Sequence, residues 1–297
     1  MDERALVFSD GLTDPQISQV LALAEAATRH DGVAPLSEQA LLTLRAGRSR
    51  SLLSLEDGVI AGYAHLDPAP DGAGASGEVV VHPGRRRRGH GRALLRALRE
   101  RARGPLRVWA HGDLAPAAAL AAAEGMARVR VLLQMRRPLQ DSPLPEVTVP
   151  DGVTIRTFEP GRDETAWLRV NGRAFADHPE QGAWTLEDLR ARQAEPWFDP
   201  AGLFLAERDG RLIGFHWTKV HPDPIGEVYV VGVDPSAQGL GLGRVLTLIG
   251  LHHLRDRGLP AVMLYVDESN RPALRLYESL GFTRYAVDVM YQSPPPH

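Results

Sequence analysis

Two side chains and one glycine run in this sequence have the types and spacing to do chemistry. Glu227 opens the apolar run Glu227–Val233, and a carboxylate at a strand end can take a proton from an amine. Tyr277 lies in a stretch with helical spacing, where a phenol can protonate a leaving group. Between them, Val231-Gly232-Val233 leads through Asp234-Pro235 into Gln238-Gly239-Leu240-Gly241-Leu242-Gly243-Arg244. Glycines let a backbone approach a ligand and aim successive N–H groups one way; the helix start that follows adds its own unpaired N–H groups. A pyrophosphate suits such a loop, with Arg244 as a bidentate donor. A dinucleotide fingerprint would need G-x-G-x-x-G after the first strand of a parallel unit, and here the spacing is G-x-G-x-G after a hairpin. A P-loop would need Gly-Lys-Ser/Thr, which the run lacks. The remaining alternative is a glycine turn that binds nothing. By two-residue alternation Glu227 shares a face with Tyr229, Val231 and Val233, and Gly232 marks a bulge that frees backbone N–H groups.

The same device occurs earlier, as Val79-Val80-Val81-His82-Pro83 followed by Arg85-Arg86-Arg87-Arg88-Gly89-His90-Gly91-Arg92. A shift of 152 positions carries Asp57-Gly58 onto Asp209-Gly210, Pro83 onto Pro235, Gly89 onto Gly241 and Gly91 onto Gly243. Gly125 reaches Gly281 with four residues of slack. Two such loops in one strand–loop–helix context make a duplication, and argue against an idle turn. Pro138, Pro143, Pro145 and Pro150 break any period, so the halves are residues 1–140 and 152–297 with a linker at 141–151. Thr13-Asp14-Pro15 starts a helix. Leu203–Glu207 and Leu212–Val220 flank a hairpin turn. Strands follow at Glu227–Val233, Ala261–Val266 and Tyr285–Tyr291, with helices at Gly243–Arg257 and Pro272–Leu280 between them. Hairpins first and strand–helix–strand crossovers afterwards give an α/β (mixed α+β) fold with a mixed sheet flanked by helices in each half.

The chain has 297 residues, a formal charge of −3 and no cysteine. These numbers exclude thiol nucleophiles, disulfides and Cys-based metal sites, and give no field that would gather nucleic acid. The Arg85–Arg88 run has no interleaved aromatics, so it is expected to meet cofactor phosphates or solvent. His90, His111 and the His252-His253 pair lack metal-ligand spacing and are expected to be solvated; no metal site is expected. With neither a signal-like start nor a long apolar run, the expectation is a cytoplasmic monomer without membrane or nucleic-acid partners.

Arg86-Arg87-Arg88-Gly89-His90-Gly91 and Gln238-Gly239-Leu240-Gly241-Leu242-Gly243 resemble the Q/R-x-x-G-x-G/A loop of the GNAT acetyltransferase superfamily. Asn270 through Phe282 resembles that family's N-x-x-A-x-x-L-Y-x-x-x-G-F segment. The resemblance implies two tandem GNAT-like domains and an N-acetyltransferase that takes acetyl-CoA and a small-molecule amine. In the second half it makes Glu227 the base and Tyr277 the acid, with the cofactor held by Val231–Val233, Gln238–Arg244, Asn270 and Arg275. In the first half the matching cofactor residues are Val79, Val80, Val81, Arg87, Arg88, Gly89, His90, Gly91 and Arg92. The residues matching Glu227, Tyr277 and Asn270 there are Ala75, Ala121 and Leu114, so that half is expected to bind without catalysing. Asp31–Glu38, Ala176–Gly182, Phe215–Lys219 and Ile225–Pro235 resemble a tandem branch of the family that acetylates the cysteinyl amine of a cysteine–glucosamine–inositol conjugate, the last step of mycothiol formation. On that resemblance Glu38, Glu180, Lys219, Glu227 and Tyr265 line the acceptor pocket. Alternatives from the same sequence are another acceptor, such as an aminoglycoside or a protein N-terminus, and a non-catalytic acetyl-CoA sensor.

Overall fold

The structure, a computed structural model, describes residues 4–68, 74–140, 142–176 and 181–294. They form two compact units. One is the chain up to Leu132 with Asp267–Ser269 and everything from Ala286; the other is Leu133–Val266 with Asn270–Tyr285.

The first unit begins with β1 (Arg4–Ser9), α1 (Asp14–Asp31), α2 (Glu38–Arg45), β2 (Arg50–Glu56), β3 (Val59–Pro68) and β4 (Ala75–Val81). It continues with α3 (His90–Arg101), β5 (Leu106–Ala110), α4 (Ala115–Ala123) and the first half of β6 (Ala127–Pro138). Thr13 caps α1 in a reciprocal capping box with Gln16, as the Thr-Asp-Pro start predicts. β1 to β4 form an antiparallel meander, and β5 joins β4 in parallel after the α3 crossover. One core lies under α1 and α2, around Val20, Leu44, Leu53 and Tyr63; another lies under α3, around Leu52, Ala64, Leu94 and Leu98.

The second unit repeats the plan with β7 (Val153–Thr157), α5 (Glu164–Ala174), α6 (Leu186–Gln193), β8 (Leu203–Arg208), β9 (Arg211–Val220) and β10 (Ile225–Val233). Then come α7 (Leu242–Asp256), β11 (Ala261–Asp267), α8 (Arg271–Ser279) and the first residues of β12 (Thr283–Gln292). Asp209 and Gly210 both take positive φ, 52° and 71°, which gives the β8–β9 turn the twist a two-residue hairpin requires. Trp167, Phe215 and Trp217 fill the core on the α5–α6 side, while Ala206, Leu242 and Leu246 fill the α7 side. The last strands depart from the order of the sequence. Val289–Gln292 of β12 pairs with β5 in the first unit, and the strand beside β11 is β6, not β12. Each compact unit includes a strand segment from beyond the linker expected at 141–151.

Candidate active site

β10 and β11 pair in parallel only from Ile225–Ala261 to Val228–Leu264, although both strands run on, to Val233 and Asp267. Beyond Val228 the backbone edge of β10 is open on the β11 side, so its N–H and C=O groups are available to an extended ligand. On the other side β10 pairs with β9, with a bulge between Val228 and Val230 that leaves Tyr229 as the extra residue. The expected bulge at Gly232 is therefore misplaced. Gly232 pairs in register with Phe215, and a Cβ there would lie 2.7 Å from that ring, so this glycine serves packing.

The bulge also resets the faces. Gly226 points at α7, since a Cβ there would meet Leu254 at 2.9 Å; Glu227 therefore points to the α5–α6 side. Tyr229 follows it and packs on Trp184, Trp197 and Trp217. Val231 and Val233 pack with Leu242 and Leu246 on the α7 side. The expectation that all four share one face fails because the extra residue reverses the alternation after Tyr229.

Glu227 is 6% exposed and sits across the ladder from Lys219. Its Oε2 lies 2.7 Å from Nε2 of His221, a partly exposed side chain two residues beyond Lys219. Lys219 is held with its Nζ 4.4 Å from the Trp197 ring centroid and 5.1 Å from that of Tyr229. Tyr265 belongs to the same face: Glu227 is level with Met263, and Tyr265 lies two residues further along β11. Lys219, Glu227 and Tyr265 are thus brought together. Glu38 opens α2 in the first unit, half-buried after the Ser37 cap. Glu180 lies outside the described residues. Sequence reading missed His221, which the hairpin register would have revealed, since residue 221 follows the partner of Glu227 by two. It also missed the wall of Trp184, Trp197 and Tyr229, because aromatics in three separate segments carry no common spacing.

The glycine loop ends at α7. Gly239 and Gly241 have φ of 86° and 73°, with open space where a Cβ would stand, so it is the left-handed backbone that calls for glycine at both. Gly241 is the N-cap, and no side chain caps the helix, which leaves first-turn N–H groups for an anion. Asp234 fixes the turn before the loop by accepting from the Ser236 N–H and pairing with Arg173 of α5. Arg244 hydrogen-bonds Ser279, which ties α8 to the start of α7. Asn270 caps α8 by accepting from the Ala273 N–H, a structural duty beside the binding role expected of it; Arg275 is exposed. Tyr277 packs edge-on against Phe282 at 5.8 Å, and burial pushes its phenol up to about 12. Its hydroxyl makes no hydrogen bond among the described residues. α8 is on the α7 side, and Glu227 faces the other way.

The first unit has the same seam: β4 and β5 pair from Ala75–Leu106 to Glu78–Trp109, and Val79–Val81 run on unpaired on that side. Its loop also survives, with Arg87 at φ 64° and Gly89 at φ 90° capping α3. But β4 has no bulge, so the ladder matches Glu227 with Ser76, one position after the residue that counting gives. The nearest carboxylate on that face, Glu78, is locked. It accepts the Ser37 N–H at 2.7 Å and lies 3.7 Å from His111, whose other nitrogen is 3.2 Å from Asp288. Burial works against the His111 cation, but bonds to Asp288 and Glu78 outweigh it and raise its pKa to about 10. Three of the four arginines of the run are paired internally too, Arg85 and Arg88 with Glu56 and Arg86 with Asp31. His90, the first residue of α3, is 1% exposed and bonded to Ser54, so it is buried, not solvated as expected, and His111 is partly buried between Glu78 and Asp288; the spacing of histidines does not reveal which tertiary contacts cover them. Asp67, His65 and Ser49 line up at 2.9 and 2.8 Å, an order seen in hydrolases, yet Ser49 is 1% exposed and closed to substrate. Among the described residues no group of three or more His, Asp or Glu is placed for a metal ion, and no helix is long and apolar enough to cross a membrane.

The acetyltransferase (GNAT) family matches residues 18–126 and again 169–282. Mycothiol acetyltransferase of Thermobispora bispora is 63% identical over 282 residues, covering 92% of this chain and 94% of its own. The protein of that name from Salinispora arenicola is 55% identical over 300 residues, covering 98% and 97%. A tandem GNAT protein from the clavulanic acid biosynthesis pathway, 22% identical, superposes with a TM-score of 0.73 over 99% of this chain and 100% of its own. A GCN5-related N-acetyltransferase from Sphaerobacter thermophilus, 24% identical, gives 0.70 over 97% and 95%. At those identities the two structures speak for the fold alone. By sequence and by fold the chain belongs to the acetyltransferase (GNAT) family, carries that family's domain twice, and is an acetyl-CoA-dependent N-acetyltransferase.

Proposed function

We propose that this chain acetylates the cysteinyl amine of a cysteine–glucosamine–inositol conjugate, the step that completes mycothiol, and that the chemistry belongs to the second repeat. The observation that carries the reading is Glu227, buried at the place where β10 and β11 part, with the uncapped start of α7 beyond the loop. Acetyl-CoA supplies an acetyl group activated as a thioester. The left-handed loop at Gly239 and Gly241, with the first turn of α7, suits its diphosphate, and the open edge of Tyr229–Val233 suits its extended arm. An α-amine has a pKa near ~8, so near neutrality most of it is protonated and unreactive. Glu227 removes that proton, directly or through water, and the freed nitrogen attacks the acetyl carbonyl. N–H groups of the open strand stabilise the charge gathering on the carbonyl oxygen. As the carbon–sulfur bond breaks, Tyr277 gives its proton to the departing sulfur. The shift of that phenol to about 12 keeps the proton in place until then.

Lys219 and Tyr265 flank Glu227 with groups that can bond hydroxyls, which favours a polyhydroxylated acceptor over a peptide N-terminus. The test is to follow CoA thiol release from acetyl-CoA with the conjugate, an aminoglycoside and an N-terminal peptide as acceptors. The reading requires the conjugate to be preferred. Preference for either other amine would overturn the acceptor, and binding of acetyl-CoA without turnover on any of them would leave a sensor.

A further inference from the structure

The face that carries Glu227 continues past β11. In the second unit the strand order is β12-β6-β11-β10, and α5 packs over β9 and β10. On β6, Leu133 and Met135 are buried on one side, so Gln134 and Arg136 point to the other. There Gln134 donates to the Tyr265 hydroxyl at 2.7 Å, and Arg136 donates through Nε to the Gln134 carbonyl at 3.0 Å. The Arg136 guanidinium lies 3.5 Å over the ring of Tyr285 on β12. Tyr265 is 43% exposed and Tyr285 is 63% exposed, unusual for aromatics on a sheet. The terminal nitrogens of Arg136 make no hydrogen bond among the described residues. A chain of mutually braced polar and aromatic groups thus starts beside the reacting carboxylate and crosses three strand spacings, about 14 Å.

The geometry points to Gln134, Arg136 and Tyr285 as a subsite for the far, neutral polyol ring of the acceptor. Stacking on Tyr285 and the bond to Gln134 fix the guanidinium plane, so its two free nitrogens present paired donors at little entropic cost. Paired donors match vicinal hydroxyls on a ring, and tyrosine edges offer apolar contact to its C–H groups. Two linked rings span the distance from Glu227 to Arg136. The inference rests on the acceptor assignment made above and extends it to residues which that assignment does not use.

The test compares Arg136→Met, which keeps the stacked stem, and Tyr285→Leu with the parent protein on two acceptors: the full conjugate and cysteinyl-glucosamine without the inositol. Arg136→Met should raise KM for the full conjugate about tenfold, the scale of losing charged hydrogen bonds. Its kcat, and its KM for the truncated acceptor, should stay within about twofold. A merely structural latch would shift both acceptors alike, and that outcome, or no shift at all, overturns the subsite. Calorimetric binding of glucosaminyl-inositol, which lacks the cysteinyl group, gives a reading independent of turnover. Loss of that binding in Arg136→Met with no turnover of the conjugate by the parent protein would keep the subsite and sink the proposed reaction. Turnover by the parent that is indifferent to Arg136 would do the reverse.

Discussion

Glu227 is 6% exposed and stands across the ladder from Lys219, with His221 at 2.7 Å. Glu227→Gln preserves the shape and leaves the glycine loop untouched. It should lower kcat by about 10²-fold or more, the range for losing a general base, with acetyl-CoA affinity unchanged. Equal turnover in the variant, followed by CoA release, would remove Glu227 from the mechanism. Tyr277→Phe should also lower kcat by about 10²-fold. Because burial holds the phenol at about 12, the parent enzyme should show no alkaline fall from this group below about pH 10 in a kcat profile.

At the scale of elements, α7 lies against β9 because residue 250 is glycine: a Cβ there would meet the His216 ring at 2.0 Å. His216 donates to the Leu246 carbonyl at 2.7 Å, and burial lowers its pKa to about 4, so the ring is a neutral packing group. Gly250→Ala gains helix propensity but must displace that ring, so thermal unfolding should show a net loss of about 1–3 kcal/mol. In the first unit, His111 ties β5 to Asp288 of β12 and to Glu78 of β4. Its folded pKa, about 10, exceeds the unfolded value of 6.5; its stabilisation is therefore full below about pH 6.5 and is lost as pH rises toward 10. Glu78 is shifted the other way: burial opposes its charge, but His111 and Ser37 hold it down, so its contribution fades in acid. Melting temperature against pH should fall on the alkaline side in the parent and stay flatter there in His111→Gln.

For the whole chain, duplication left two loops and two open seams, but of the two strands that lead into those loops β10 is bulged and β4 is not. β10 has an extra residue at Tyr229, which puts Glu227 on one face and Val231 and Val233 on the other; β4 has none, and the residue level with Glu227 there is Ser76. Gly89 and Gly241 sit at the same left-handed helix start, and nothing crowds Gly241. Aspartate tolerates that backbone, so Gly89→Asp and Gly241→Asp should both fold, each placing a negative charge where a phosphate would sit. Turnover should fall far more in Gly241→Asp. The opposite ranking, in assays at saturating acceptor, would move the chemistry to the first repeat.

Local chemistry determined much of this in advance. The Thr-Asp-Pro start, the Asp-Gly hairpin and the spaced glycines act through backbone preferences of a few neighbouring residues, and the helices and strands at 203–291 fall within a residue or two of where the pattern puts them. Glycine spacing likewise marked both loops. What tertiary structure decided was register and partnership. The bulge at Tyr229 exists only against β9, and it settles that Val231 and Val233 face away from the side that Glu227 takes. Gln134 meets Tyr265 because of a strand pairing that no short-range pattern encodes, and His221 meets Glu227 through the register of the β9–β10 hairpin. Three of the four arginines of the run expected to meet cofactor phosphates or solvent pair instead with Glu56 and Asp31 from distant segments, since a buried carboxylate recruits whatever cation the fold brings near.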